Sequence, residues 1–323
     1  MLKFFHKLFD KHDHHNGQLL GAIGKKDKKK IAGNVKKLIE YNEKVKELGV
    51  KDLYFVAASR NSWINRDKIG SSNYKDYTNE AWEDFFKDIN SEIKTIDLRK
   101  KLEDINSTEN IYYKTDHHWN SLGGYYAYRE IINRLGNDYP EVGKAYELEE
   151  FDKEVVSKSF YGSYARRVGY LNVENPDQIV KYSLKGTPKI EVKIGKEKYS
   201  SLFFNEYIVK NKDYKEIYSN EYRYYSDGDK AMVRVNNLKN KNNLNVLVIK
   251  DSYMNVVTPF IVNHFQNTYI MDLRHWKSNA YDIIQSRKID IVVFLYNPTS
   301  LTNNKQFDFN KKALTKKKHR KLL

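Results

Sequence analysis

The sequence predicts an α/β protein whose sheet is mostly parallel, and three observations carry that prediction. Apolar runs of strand length lie at 52–58, 244–249, 268–273 and 289–295, short and continuous as in strands buried on both faces. Segments with helical spacing of apolar residues stand between or before them. A helix, a glycine stop and a buried strand follow one another at 34–58, which is the first unit of an alternating α/β fold. At 323 residues the chain is long enough for one large domain of this kind with an insertion.

Taken in order, residues 1–33 read as a basic, His-rich tail, with a short aromatic cluster at Phe4, Phe5 and Phe9 and histidines at His12, His14 and His15. The main domain runs from 34 to 303. A helix at 34–48 is indicated by Val35, Leu38, Ile39, Val45 and Leu48, stopped by Gly49. A second helix, about 80–93, shows Trp82, Phe85, Phe86 and Ile89 on one face, and a short strand follows at 95–98. A third helix at 122–135 is rich in Tyr, Ile and Leu and starts directly after 115–120, a junction where α/β proteins put chemistry. From about 146 to 237 the texture changes to short β-like stretches at 179–184, 189–194 and 232–235, separated by Gly, Pro, Asn and Asp. This segment reads as a β-rich insertion folded beside the sheet. Residues 304–323 read as a Lys-rich tail.

Composition narrows the function. The hydrophobic fraction is 40% and aromatics make 14%, enough for a packed core because large rings bury much area each. The formal charge of +15 is concentrated in lysine runs at 25–30 and 311–321. Such runs attract anionic polymers, yet zinc-finger spacing, an aromatic ribonucleoprotein signature and a helix-turn-helix are all missing, so no nucleic acid partner is expected. With no cysteine, disulfides, thiolate metal sites and a cysteine nucleophile are excluded. No signal-peptide apolar region or membrane span can be drawn near the first residues.

Two segments carry chemistry. In Tyr112-Tyr113-Lys114-Thr115-Asp116-His117-His118-Trp119-Asn120 a carboxylate stands two residues before an imidazole. In an extended or loop segment such residues share a side, so Asp116 can hold the His118 nitrogen turned away from a nucleophile, while His117 points elsewhere. In Val246-Leu247-Val248-Ile249-Lys250-Asp251-Ser252-Tyr253 a buried strand ends in a small polar turn. That turn exposes the Ser252 hydroxyl and offers backbone amides, Tyr253 included, to an oxyanion. Asp and Ser are also ordinary helix caps.

Together the segments resemble the DHHW family, related to the alginate O-acetylation proteins within the SGNH-like superfamily. The resemblance lies in Asp-His-His-Trp with Tyr-Tyr-Lys-Thr before it and Gly-Gly-Tyr-Tyr-Ala-Tyr after it. It continues in Lys-Asp-Ser-Tyr, Thr258-Pro259-Phe260, Phe265 and Asp272-Leu273-Arg274, and spans about 34–297. It implies a flavodoxin-like three-layer fold of SGNH type and acyl-ester chemistry on carbohydrate, with Ser252 as nucleophile, His118 as base and Asp116 as its orienting partner. Lys250 departs from the Gly common before Asp-Ser, which puts the geometry of that turn in question. Gly162 and Asn297 are candidates to complete the oxyanion hole. Family members usually work outside the cytoplasm behind an amino-terminal anchor; this chain shows none, so either its native start lies upstream or its location differs.

Rival readings stand beside these. Asp116, His117 and His118 could ligate a metal, but adjacent histidines seldom share one ion without a distant third ligand, and no metal or other cofactor is expected. Trp119 anchors its loop in the core or stacks on a sugar. Arg274 and Arg60, at strand ends, either hold an anionic group or acyl carbonyl or form structural ion pairs. The function expected is a serine-dependent O-acetyltransferase acting on a cell-surface or exported polysaccharide, supplied with acetyl groups by a membrane-bound O-acyltransferase. A carbohydrate acetyl esterase using water, and an inactive module binding acidic polymer, are the alternatives.

Overall fold

The computed structural model describes residues 17–68, 74–89, 91–186, 189–199, 204–210 and 217–311. Its strands are β1 (Asp52–Ala57), β2 (Lys94–Asp97), β3 (Phe151–Phe160), β4 (Asp177–Leu184), β5 (Ile190–Ile194), β6 (Glu197–Tyr199), β7 (Met232–Asn237), β8 (Asn245–Lys250), β9 (Asn267–Met271) and β10 (Ile291–Tyr296). The longer helices are α1 (Lys28–Glu47), α2 (Thr78–Asp88), α3 (Arg99–Asn106), α4 (Ser121–Asp138) and α5 (Tyr281–Arg287). Eight of the strands form one sheet in the order β2-β1-β10-β8-β9-β7-β5-β6. The first five in that order are mutually parallel, as the four apolar runs and the short 95–98 strand predict.

Alternation along each strand feeds two cores. Leu53, Phe55 and Ala57 pack with Ile31, Val35, Leu38 and Tyr41 of α1 and with Trp82 and Phe85 of α2. Tyr54 and Val56 face the other way, onto Tyr125, Tyr128, Ile131, Ile132 and Leu135 of α4. Helices on both faces of the sheet make three layers, and the large rings dominate: Phe55 lies 4.4 Å from Phe85 and 5.7 Å from Phe294, centroid to centroid. Each such fully buried side chain contributes about 1.5–3 kcal/mol.

Three sequence readings are corrected. The stretch read as folding beside the sheet is partly built into it. β7 pairs antiparallel with β9 and β5 with β7, because β9 would otherwise leave unpaired amides and carbonyls at a sheet edge; among the described residues, β3 and β4 form a separate antiparallel pair. The amino-terminal segment is no tail from Gly17 onward. Leu19, Leu20 and Ile23 are buried, the Leu19 N–H donates to Lys114 O at 2.8 Å, and α1 starts at Lys28 with Asp27 capping it. Beyond residue 303, Gln306, Phe307 and Phe309 are likewise buried. The aromatic cluster at Phe4, Phe5 and Phe9, the histidines at His12, His14 and His15, and all of the lysine run after Lys311 lie outside the described residues.

Candidate active site

The carboxyl ends of β1, β8 and β10 converge on one edge of the sheet, and both chemistry-bearing segments lie there. Residues 112–119 form a closed loop rather than an extended segment. Tyr112 and Trp119 make an isolated antiparallel bridge, and the Asn120 N–H donates to Ile111 O at 3.0 Å. Asn120 then caps α4, its Oδ1 accepting from the amides of Leu122 and Gly123. From the end of β1, Asn61 Nδ2 donates to Asp116 O at 2.9 Å and to Tyr113 O at 2.5 Å. These bonds fix a bent backbone in which Asp116 Oδ1 accepts the His118 N–H at 3.0 Å. Carboxylate and imidazole meet through this turn, not through strand alternation.

The serine segment is fixed from beneath. Asp251, the cap of the turn Ser252–Val256, accepts the Tyr253 N–H on Oδ1 at 3.0 Å. Its Oδ2 accepts from Asn297 N, Asn297 Nδ2 and Ser300 Oγ, each at 2.7 Å. Gly124 of α4 lets this turn approach: a Cβ there would lie 2.7 Å from Val256 Cγ2. The two segments also bind one another. Trp119 Nε1 donates to Tyr253 O at 2.9 Å, and the Tyr253 hydroxyl donates to His117 O at 2.5 Å.

Ser252 Oγ lies 2.7 Å from His118 Nε2, and His118 Nδ1 lies 2.6 Å from Asp116 Oδ1. An ionised carboxylate only accepts, so the Nδ1 proton faces Asp116 and Nε2 is left to accept from the serine hydroxyl. Asp116 Oδ2 accepts the Ser163 N–H at 2.6 Å. Burial opposes ionisation of Asp116, but His117, His118 and the Ser163 amide outweigh it and hold the carboxyl well below the usual carboxylate range. The Tyr222 ring stacks on His118 at 3.9 Å, 9° from parallel, and its hydroxyl donates to Ser252 O at 2.9 Å. Burial keeps that phenol protonated by pushing it well above its ordinary range.

His117 turns to a different partner from His118 but stays close beside it. The loop is bent, so its ring lies 3.8 Å from that of His118, with Nδ1 at 2.7 Å from Ser163 Oγ and 3.4 Å from Asp116 Oδ1. Burial, then the charge of His118, with Arg60 and Arg167 adding to it, drives its pKa well below the ordinary value. Asp116, His117 and His118 are near enough to share an ion, as are Asp229, Asp272 and His275. In the first group His118 already uses both ring nitrogens; in the second, Lys250 and Arg274 neutralise the carboxylates.

Five further candidates take other roles. The Tyr253 N–H is spent on Asp251 and that of Gly162 on Thr115 Oγ1 at 3.0 Å, so neither is free for an oxyanion. Asn297 gives both its amides to Asp251. Arg274 is tied to Asp229 and Asp272. Trp119 is fully buried, which removes it as a sugar platform. Gly162 serves close approach instead: a Cβ there would sit 2.4 Å from Asp116 Cβ. Arg60 is half-buried, with Nη2 3.3 Å from the Tyr164 hydroxyl and a buried Nε that meets no acceptor among the described residues. The Ser252 N–H likewise meets none. Sequence reasoning missed Ser163, Tyr222, Asn61 and Asp177, which no local pattern marks.

The profile of the family described as DHHW protein matches residues 57–271. The chain belongs to the DHHW family. Its loop at 116–119 is the Asp-His-His-Trp of the family name. A DHHW family protein from Eubacterium siraeum has a similar structure, with 21% identity over 93% of this chain and 95% of that one and a TM-score of 0.76. Bacillus cereus PatB1, solved with a sulfonyl adduct, matches at 22% identity over 92% and 98%, also with a TM-score of 0.76. The O-acetyltransferase domain of Pseudomonas putida AlgJ matches at 9% identity over 89% and 90%, with a TM-score of 0.56. At these identities what is shared is the fold, a three-layer α/β architecture around a mostly parallel sheet. No curated protein sequence matches the chain. No helix among the described residues is long and apolar enough to cross a membrane.

Proposed function

We propose that this DHHW protein is a serine-dependent O-acyltransferase that moves an acetyl group onto a hydroxyl of an exported or cell-surface polysaccharide. Ser252 is the nucleophile, His118 the base and Asp116 the orienting carboxylate. The observation that carries this reading is the hydrogen-bond chain from Ser252 Oγ through both nitrogens of His118 to Asp116 Oδ1, at 2.7 and 2.6 Å. Transfer, rather than hydrolysis, is supported by a fold in common with a domain named an O-acetyltransferase.

In the first half-reaction Ser252 Oγ bonds to the acetyl carbonyl carbon of an ester or thioester donor while His118 Nε2 takes the serine proton. The bond to the donor's leaving atom breaks, and that atom receives the proton. In the second, a sugar hydroxyl gives its proton to Nε2 and its oxygen bonds to the acyl carbon; Ser252 Oγ leaves and recovers the proton. The unclaimed Ser252 N–H is suited to donate to the carbonyl oxygen as it gains charge. The acceptor class sets the protein outside the cytoplasm, where a membrane-bound O-acyltransferase supplies acetyl groups.

An acetyl-ester surrogate with and without a soluble oligosaccharide tests this, with mass spectrometry of the sugar. The expected result is an acetylated oligosaccharide and faster acetyl release with acceptor, both abolished in Ser252→Ala. Full activity in Ser252→Ala overturns the serine mechanism, and release to water unaffected by any acceptor makes the protein an esterase.

A further inference from the structure

Immediately before Asp116, the backbone is gripped by a second carboxylate. Asp177, the first residue of β4, accepts from the Lys114 N–H at 2.8 Å, the Thr115 N–H at 2.7 Å and the Thr115 hydroxyl at 2.6 Å. The same hydroxyl oxygen accepts the Gly162 N–H at 3.0 Å. The next amide, that of Ser163, donates to Asp116 Oδ2 at 2.6 Å. Thr115 O completes the junction by accepting from Tyr164 N at 2.9 Å.

We infer that Asp177 is a positioning residue for the active site, acting on Asp116 through the Thr115 hydroxyl and the 162–163 turn. This rests on the reading of Ser252, His118 and Asp116 as the catalytic groups. A hydroxyl has one proton to give. Its two possible acceptors here are Asp177, at 2.6 Å, and Phe160 O, at 3.4 Å, and the charged, nearer one takes it. With the proton turned to Asp177, a lone pair of Oγ1 faces the Gly162 amide. Remove the carboxylate and the hydroxyl rotates to Phe160 O, the Gly162 amide loses its acceptor, and the Ser163 amide is no longer held against Asp116. Asp177 lies at the wall of a cleft of about 290 Å³ that also borders Asn110, Lys114, Asn120 and Lys153. The cleft leaves room for the side chain at 177 to be exchanged without overpacking a core. Gly162 makes the coupling stiff, because its backbone is already within van der Waals contact of Asp116.

The test uses the full chain and four variants: Thr115→Val, which keeps shape and removes the hydroxyl, Thr115→Ser, which keeps it, Asp177→Asn and Asp177→Glu. Thermal unfolding checks each fold. The readouts are kcat and KM on an acetyl-ester surrogate, and the rate at which a sulfonyl fluoride modifies Ser252, followed by mass spectrometry. Sulfonylation needs no acetyl donor or glycan, so a wrong substrate assignment leaves this test intact; wild-type protein that is not sulfonylated refutes the catalytic reading, and the inference falls with it. Thr115→Val and Asp177→Asn are expected to lower both kcat and sulfonylation by about 10- to 100-fold, as a displacement of about 1 Å does, with KM within about twofold. Thr115→Ser is expected to stay within about threefold of wild type. Where the first two do not fold, Asp177→Glu decides, since it shifts the carboxylate by one methylene and keeps its charge. Folded Asp177 or Thr115→Val variants that sulfonylate within about twofold of wild type overturn the inference, as does a clamp whose every variant fails to fold.

Discussion

Asp116→Asn puts the proposed role of the carboxylate to a quantitative test. Asp116 Oδ1 accepts twice from His118, at the ring Nδ1 and the main-chain N–H, and Oδ2 accepts from the Ser163 N–H. An amide has one acceptor oxygen and one donor nitrogen, so Asn can satisfy only one side. With its oxygen toward His118, the NH2 group faces the Ser163 amide, donor against donor, at a cost of about 1–3 kcal/mol. With its oxygen toward Ser163, the NH2 group faces His118, which must then carry its proton on Nε2 and cannot accept from Ser252. The first arrangement keeps the useful tautomer but offers no charge to the imidazolium; the second loses the base. Either way the barrier rises by about 4–5.5 kcal/mol, a fall in kcat of about 10³- to 10⁴-fold. Burst and steady-state release from an acetyl-ester surrogate, beside Ser252→Ala and His118→Ala, measure it. A folded Asp116→Asn protein with more than about a tenth of wild-type kcat refutes the assignment.

Three further outcomes are expected. Gly162→Ala brings a Cβ to 2.4 Å from Asp116 Cβ and 2.6 Å from Thr115 O, so the turn must retreat by about 1 Å, lowering kcat at least about 10-fold; full activity with an unchanged melting temperature contradicts this. Tyr222→Phe removes only the bond to Ser252 O, worth about 1 kcal/mol, whereas Tyr222→Leu also removes the stacked ring and is expected to cost a further factor of about 5–10 in kcat; equal kcat in the two variants denies the ring a part. His264 is buried, its Nδ1 donating to Val142 O and its Nε2 accepting from the Tyr128 hydroxyl, and burial lowers its pKa from about 6.5 to about 4. The unfolded chain therefore binds more protons between those values, and up to about 3 kcal/mol of stability present above pH 6.5 is lost as pH falls toward 4; urea midpoints against pH, flatter in His264→Gln, check it.

Legibility in the sequence followed burial. β1, β8 and β10 are buried on both faces and β9 is more than half buried, so their apolar runs stand out. β3 escaped because between Phe151 and Phe160 the strand is mostly exposed, and α3 because Leu102 is its one buried residue. Gln18, Leu19, Leu20 and Ile23 pack as an irregular strap, with no period for a pattern to reveal. At the candidate site, Asp116 and His118 stood out in the loop just before α4, and Ser252 at the turn that ends β8. Ser163, Asp177 and Tyr222 come from the insertion and reach the loop only through tertiary packing. His117 turns to Ser163 rather than Ser252, yet the bend of the loop keeps its ring against that of His118.

The lysine that stands where a glycine is common before Asp-Ser shows how this turn is held. A glycine would supply freedom; Lys250 supplies a tether. Its ammonium is buried and 2.7 Å from both Asp229 Oδ1 and Asn255 Oδ1, and Asn255 lies on the serine's own turn. Asp229 in turn accepts from Arg274 at 2.7 Å, and burial is outweighed by those two cations, which hold its carboxyl well below the usual range. A buried charge without partners costs several kcal/mol, so the network constrains its members to one arrangement. Asp251 on the other side is satisfied four times over, by Tyr253, Asn297 twice and Ser300. Ser252 thus follows directly on two buried polar anchors, Lys250 and Asp251, which hold Asn255 and Tyr253 on its far side. The serine hydroxyl is left with His118, and its amide with no acceptor among the described residues, which is the state a nucleophile and an oxyanion donor require.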